Sequence, residues 1–408
     1  MQGPPSPYAG LWTSDGTVAG TERVAGGESD VDGICCGRSF TLVGDRVFFS
    51  GSLGSTPDSE TGEELFKTRG TPDSTRLVKD IWPGRGFHDL ACMDCPNSSA
   101  PGHLTAYGGA LYFLATGDDA RGLWRSDGSA DGTETVMTSL GGREMVRFRG
   151  HLYITGASAD PRRHSGLWKS DGTRAGTWLL RTIRSGDLST RPRELTRVGD
   201  RLFFVAYDRT RGWELWTSDG TRRVKDIRPG GMGCDPSWLT NVGGVLYFAA
   251  NDGRDGRELW RSDGTASGTR MVKDIRPGPT GSGPLWLVNG GGSLFFRADD
   301  GRHGHELWRS HGTRRGTYLV RDIRRGPRGS SIWWSTSAGG SVYFSARDGR
   351  TGQELWKSGG TRMTTRRVAD IVPGAAGSRP WDLTAFKGDL YFFVAHGAYQ
   401  AALWKHVP

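Results

Sequence analysis

Glu258-Leu259-Trp260-Arg261-Ser262-Asp263-Gly264-Thr265-Ala266-Ser267-Gly268-Thr269-Arg270-Met271-Val272-Lys273-Asp274-Ile275-Arg276-Pro277-Gly278 is the stretch that decides the fold. Glu258 to Ser262 reads as a strand. Asp263-Gly264-Thr265 opens a turn, where Gly accepts positive φ without steric cost. Arg270 to Ile275 reads as the next strand, and Pro277 stops further pairing at the start of a long connection. Upstream, Trp238 to Val242 and Leu246 to Ala250 form a tight hairpin across Gly243-Gly244. The unit is therefore four antiparallel strands followed by a crossover. A helical solenoid would need an apolar period of about 3.6 residues, which is absent.

Outward from this unit the pattern recurs. Its Leu-Trp pair reappears at Trp12, Phe66 (a conservative variant), Trp124, Trp168, Trp216, Trp260, Trp308, Trp356 and Trp404. The intervals are 54, 58, 44, 48, 44, 48, 48 and 48 residues. Nine motifs enclose eight repeats, so residues 1–408 read as one all-β domain: a single eight-bladed β-propeller of four-stranded antiparallel blades. The chain opens at a third-strand motif and ends on first and second strands plus another Leu403-Trp404. The ring is thus expected to close through N- and C-terminal strands, removing sheet edges. Two Leu-Trp segments compete for one strand slot. Leu11-Trp12, with its intact Ser14-Asp15-Gly16-Thr17 turn, is expected to take it and Trp404 to be displaced.

Composition agrees. The 408 residues include 64 Gly and 16 Trp at a hydrophobic fraction of 35%, as suits many short strands and tight turns. No apolar run is long enough to span a membrane as a helix, and Met1-Gln2-Gly3-Pro4-Pro5 is not a signal peptide. Either the protein is cytoplasmic or a leader has been removed. The net charge of +9 comes mostly from Arg and reads first as a solvated basic surface. An anionic glycan, a membrane surface or nucleic acid is the sharper alternative, with no sign of specific nucleic-acid recognition.

The consensus Glu-Leu-Trp-x-Ser-Asp-Gly-Thr-x-x-Gly-Thr-x-x-Val-Lys-Asp-Ile-x-Pro-Gly resembles the ELWxxDGT-repeat proteins of bacteria. The match runs over essentially the whole chain and is weakest in repeats 1 to 3. That resemblance implies an exported or cell-surface β-propeller, of the kind found in myxobacteria and Bacteroidetes, and implies no particular chemistry. A second likeness is to the tryptophan-docking spacing of eight-bladed quinoprotein dehydrogenases: Ala250/Asp252/Gly256/Trp260, with counterparts at Ala206/Asp208/Gly212/Trp216, Ala298/Asp300/Gly304/Trp308 and Ala346/Asp348/Gly352/Trp356. There the Trp wedges between blades and the Asp caps loop amides. It implies structural glue and no quinone cofactor.

If the crossovers and the Asp-Gly loops share one face, that face carries the candidate ligand site. Trp238, Trp286 and Trp334 stand 48 residues apart at the start of inner strands, with Trp333 and Trp381 in the position just before. Ser39, His103, Glu144 and Glu194 are their counterparts in repeats 1 to 4. Arg228, Arg276 and Arg324 follow the Asp-Ile pairs. Aromatic faces beside guanidinium groups suit sugar rings, acidic glycans or an acidic peptide; the plainer reading packs these Trp against crossover loops.

Five cysteines fall in crossovers: Cys35, Cys36, Cys92, Cys95 and Cys234. The first four suggest a disulfide pinning two enlarged loops in an oxidising compartment. A zinc site is the runner-up, with poor ligand spacing. Cys234 should be unpaired. Asp252 with Asp255, and Asp299 with Asp300, admit a weak calcium reading; turn capping explains them better.

No catalytic signature is present. The function expected is a non-catalytic binding or scaffold propeller, secreted or at the cell surface, recognising a glycan or protein ligand through the crossover face. Monomer is the default state. The alternative is a propeller enzyme, a polysaccharide lyase or hydrolase or a quinone-dependent oxidoreductase, with His103, Glu144 and Glu194 converging at the channel mouth. The start inside a repeat also admits a module cut from a larger surface protein.

Overall fold

The structure is a computed structural model. It describes residues 11–14, 21–25, 34–53, 61–86, 95–118, 121–158, 166–182, 192–218, 222–386, 389–396 and 400–406. The chain divides into two compact units, 1–193 and 194–408.

In the first unit, the described strands build three four-stranded antiparallel sheets, spanning 34–79, 102–137 and 140–182, and two short hairpins. The hairpins pair Leu11–Ser14 with Thr21–Ala25, and Arg85–Gly86 with Cys95–Pro96. In the second unit, which takes all but the first residue of the strand Arg193–Val198, four-stranded sheets span 193–223, 237–273, 285–321 and 333–367, and a three-stranded sheet spans 381–406. A single 3-10 turn, Pro72–Ser74, is the only helical element among the described residues. No described helix is long and apolar enough to cross a membrane.

The 237–273 sheet shows the logic. Its strands are Ser237–Val242, Val245–Asn251, Arg257–Ser262 and Arg270–Lys273, paired in chain order. The second strand is buried along its whole middle, Leu246 to Ala250, because both of its faces are covered. That is how a chain with modest apolar content forms a core: the burial is concentrated in second and third strands. Each cluster joins one sheet to the next. Val198, Phe203, Leu215 and Ile227 meet Leu246, Phe248, Ala250 and Trp260. Leu259, Val272 and Ile275 meet Phe296, Ala298 and Trp308, and Leu307, Val320 and Ile323 meet Phe344, Ala346 and Trp356. The first unit repeats the device with Trp124 and Trp168. The repeated Trp is therefore a wedge between consecutive sheets.

The polar motif residues are equally committed. Ser262 Oγ bonds Thr269 Oγ1 at 2.7 Å and accepts from Gly264 N at 3.0 Å, while Asp263 accepts from Thr265 N and Oγ1. Thr265 Oγ1 in turn accepts from Gly268 N. Ser126, Ser170, Ser310 and Ser358 anchor the same turn in other sheets. Asp-Gly-Thr is thus a self-satisfied turn.

Crossovers and second-to-third-strand loops lie together, as expected. Short parallel bridges join Trp213 to Gly233, Arg257 to Gly281 and Gln353 to Gly377. The first strands of successive sheets also face one another. Thr240 Oγ1 and Asn289 Nδ2 donate to the carbonyls of Leu287 and Asn241, and Asn241 Nδ2 donates to Arg197 O.

One expectation is corrected. The third-strand slot beside Asp389–His396 is held by Gln400–His406, the Trp404 segment, in seven unbroken register pairs. Leu11–Ser14 pairs only with Thr21–Ala25 among the described residues. The physical reason is loop closure: three residues separate Gln400 from the strand it joins, so the local partner costs little chain entropy.

Candidate functional site

The inner-strand tryptophans gather in the second unit. Ring centroids lie 4.8 Å apart for Trp238 and Trp286, 5.7 Å for Trp286 and Trp334, and 5.8 Å for Trp286 and Trp333. Trp333 and Trp334 remain 46% and 40% exposed, while Trp238, Trp286 and Trp381 are half-buried.

Backbone conformation explains how two consecutive tryptophans both reach solvent. Successive side chains of a regular strand point to opposite faces. Here each first strand is bulged, with register shifts between Ser237 and Thr240, Leu285 and Val288, and Trp333 and Thr336. The residue at the bulge takes positive φ: 61° at Trp238, 56° at Trp286 and 56° at Trp334. A bulge re-aims side chains. Positive φ in a bulky residue costs on the order of 1–3 kcal/mol and must be held by its surroundings. One such support is Thr240, whose Oγ1 donates to Trp238 O at 2.9 Å. The same conformation recurs at Ser39, His103, Glu194 and Asp382, which places those positions in register with the tryptophans. Glu144 departs from the pattern. It follows a register shift after Gly142 without adopting positive φ.

Trp333, Trp334 and Trp381 line a cavity of about 340 Å³ together with Arg347, Gln353 and Arg379. Both arginines are exposed at its rim, and Gln353 Nε2 is fixed by Ser331 O at 2.8 Å. Arg297 braces the cluster from beneath. Its guanidinium carbon lies 5.1 Å from the Trp333 ring centre and its Nη1 donates to Ile332 O, so an almost fully buried cation stacks on the indole. Sequence reasoning missed Arg297, Arg347 and Arg379. Arg297 had a readable signal: a charge inside the apolar second-strand run Leu294-Phe295-Phe296-Arg297-Ala298.

The other anticipated residues are placed elsewhere or do structural work. Arg228, Arg276 and Arg324 each lie against the loop glycine of the following sheet, Gly253, Gly301 and Gly349. Arg276 also pairs with Asp299 at 2.8 Å. Glu194 accepts from Leu239 N at 2.9 Å. In the first unit His103 is exposed, in a separate cavity of about 580 Å³ with Glu63 and Arg121. Although the side chain is open to solvent on one side, the cavity walls desolvate its imidazole and lower its pKa, and the charge of Glu144 opposes that shift.

The acidic loops cap turns. Asp252 Oδ1 accepts from the amides of Arg254 and Asp255, and Asp255 pairs with Arg254. Asp300 accepts from the amides of Arg302 and His303 and pairs with the His303 ring at 2.8 Å. Among the described residues no three His, Cys, Asp or Glu side chains converge on a point. Cys95 is disulfide-bonded. Cys35 and Cys36 lie in the strand Ile34–Val43 and not in a crossover, a correction to the expectation, because the strand extends back through them to pair Cys35 with Ser52; their side chains, and Cys92, lie outside the described residues. Cys234 is unpaired and buried, and its thiol donates to Glu214 Oε2 at 3.3 Å.

That last contact exposes a role the sequence did not reveal. The Glu of each Glu-Leu-Trp is buried and staples the crossover to the third strand. Glu258 accepts from Arg276 N, Ser282 N and Ser282 Oγ. Glu306 does so from Ile323 N, Arg324 N and Ser330 Oγ, and Glu64 and Glu354 use Ser99 and Ser378. Cys234 stands where the other crossovers have Ser.

No family model and no curated protein matches the chain. Among solved structures it is similar to puromycin hydrolase, with 16% identity and a TM-score of 0.42 for an S511A mutant, covering 88% of this chain and 58% of that one. The chain thus spans little more than half of that enzyme's length. It is also similar to the computationally designed Ika8 protein (14% identity, TM-score 0.46, covering 90% and 96%). A third is the β-propeller domain of the Trilobed protease from Pyrococcus furiosus (10% identity, TM-score 0.40, covering 83% and 99%). Likeness at this level assigns no activity to the chain.

Proposed function

We propose that the chain is an eight-bladed β-propeller of the ELWxxDGT-repeat type, its ring closed by bringing the N- and C-terminal segments together. It acts at the cell surface or in a secreted protein as a non-catalytic module that binds a glycan in the Trp333/Trp334/Trp381 cavity. The observation that carries this reading is the pair of exposed indoles, Trp333 and Trp334, at a bulge that other sheets fill with Ser39, His103, Glu194 or Asp382. Two neighbouring indoles are held at the surface, Trp334 at positive φ, in tilted and edge contact with the Trp286 ring and braced by a buried guanidinium. Packing alone would bury these rings, so their exposure is best accounted for by a ligand that uses them.

Indole faces pack against the C–H faces of sugar rings, and the cavity volume is at the low end of small-molecule sites. It suits a single sugar residue or a chain end, with Arg347, Gln353 and Arg379 placed for hydroxyl or carboxylate groups. Repeated inter-sheet wedges and facing first strands support the ring. The engagement of Glu194 with the Leu239 amide speaks against its use as a catalytic carboxylate beside His103 and Glu144.

The test is a glycan array probed with the full chain, followed by titration of the selected oligosaccharide into Trp334→Ala and Trp286→Ala. Loss of about tenfold or more in affinity with an unchanged unfolding midpoint is expected for Trp334→Ala. Undiminished binding in both variants would remove the cluster from the site.

A further inference from the structure

Between the 285–321 and 333–367 sheets lies a second cavity, of about 690 Å³, which shares no lining residue with the aromatic one. Arg321, Arg324, Arg325, Arg328, Arg350 and Arg362 line it, against two aspartates, Asp322 and Asp348. Asp348 is occupied in capping the amides of Arg350 and Thr351. None of the six arginines is in an ion pair among the described residues. Arg321 is fixed by a bond to Thr365 O and by the Trp356 ring 5.8 Å away, while Arg325, Arg328, Arg350 and Arg362 are exposed arms.

The neighbouring seam shows that this is not a property of every repeat. One 48-residue period earlier the same positions hold Lys273, Arg276, Pro277, Thr280, Arg302 and Arg314. There Arg276 is neutralised by Asp299, whose counterpart at the later seam is Arg347. The later seam has gained Arg325 and Arg328 and lost that acid. Close-set guanidinium groups repel one another, and two aspartates balance only part of the charge of six arginines. Oxyanions would balance the rest, because guanidinium forks match their geometry and charge. Trp356 also lines the cavity, but its unpaired indole N–H recurs at Trp260 and Trp308 and so belongs to the repeat, leaving the arginines as the mark of this seam. Trp356 is the one aromatic residue lining the cavity and is 4% exposed, so a base finds little aromatic surface to stack on, which argues against nucleic acid.

We infer that this cavity binds a ligand carrying two or more closely spaced sulfate or phosphate groups. Occupancy does not depend on the aromatic cavity being filled. The full chain is titrated calorimetrically, at about 0.15 M salt so that diffuse attraction is screened, with sodium tripolyphosphate and separately with sucrose octasulfate. Saturable one-to-one binding of at least one probe is expected. Response to tripolyphosphate alone marks a phosphate ligand, and response to the octasulfate alone a sulfated sugar. Arg325→Pro with Arg328→Thr restores residues that the preceding repeat carries in the same fold, and should weaken binding about tenfold or more. Arg302→Ala, on the neighbouring seam, should leave it within about twofold. No saturable binding of either probe overturns the proposal. So does an equal loss in Arg302→Ala, which would mean that only diffuse surface charge is felt.

Discussion

Glu258 carries the most information per atom in this molecule. Its carboxylate ties the third strand to the crossover that leads to the next sheet. Burial raises its pKa from 4.5 to about 7, and does the same for Glu64, Glu214 and Glu306. A carboxyl that binds its proton more tightly folded than unfolded makes the native state take up protons. Its contribution is therefore fully present below about pH 4.5 and lost as pH rises through about 7. Glu258→Gln has no charge to develop. Urea unfolding at about pH 5 and about pH 8 should show a smaller stability drop for the variant than for the parent chain. An identical drop would mean that Glu258 titrates normally. The Glu-Leu-Trp motif announced the strand in the sequence, but the role of its Glu was not legible there, because the partners are backbone amides and a crossover serine 17 to 35 residues away.

At the scale of elements, the sheets rely on glycine where crossover and loop meet. Gly281 has φ +65°, and a Cβ there would stand 2.3 Å from Arg257 N, inside the parallel bridge joining the two segments. Gly244, in a hairpin turn, has φ +80° and open space around it. Gly244→Ala should therefore cost only the backbone term, about 1–2 kcal/mol. Gly281→Ala should cost clearly more, because backbone must move as well. Comparable denaturation midpoints for the two would contradict the bridge. The four strands of repeat 5, its hairpin and its turns were legible because hydrophobic alternation and Asp-Gly or Gly-Gly punctuation are local signals. The first-strand bulge was not. A positive φ at Trp238, Trp286 and Trp334 is a conformation that bulky residues rarely adopt, so residue type gives no sign of it. Between Leu11-Trp12 and Leu403-Trp404 the turn sequence favours the first, whereas the short loop that ties Gln400–His406 to its partner strand decides for the second.

For the whole molecule, repetition explains both what was foreseen and what was missed. Residues that recur every repeat, such as the wedging Trp260, Trp308 and Trp356, build the scaffold. Residues that break the repeat mark the candidate sites: Trp333 before Trp334, Arg297 inside an apolar strand, and Arg325 where its neighbour has Pro277. The aromatic positions were legible as departures at a fixed register. The cavity they form with Arg347 and Arg379 was not, since it draws on segments of two successive sheets. The central claim is that one ring of eight blades displays this aromatic cavity to a glycan. A crystal structure of the full chain with its array-selected oligosaccharide tests both halves at once. The account predicts eight sheets in a closed ring and a sugar ring stacked on Trp334, between Trp333, Trp381 and the two arginines. An open arrangement of the two units, or a sugar bound away from these indoles with the cavity filled by solvent, would contradict it.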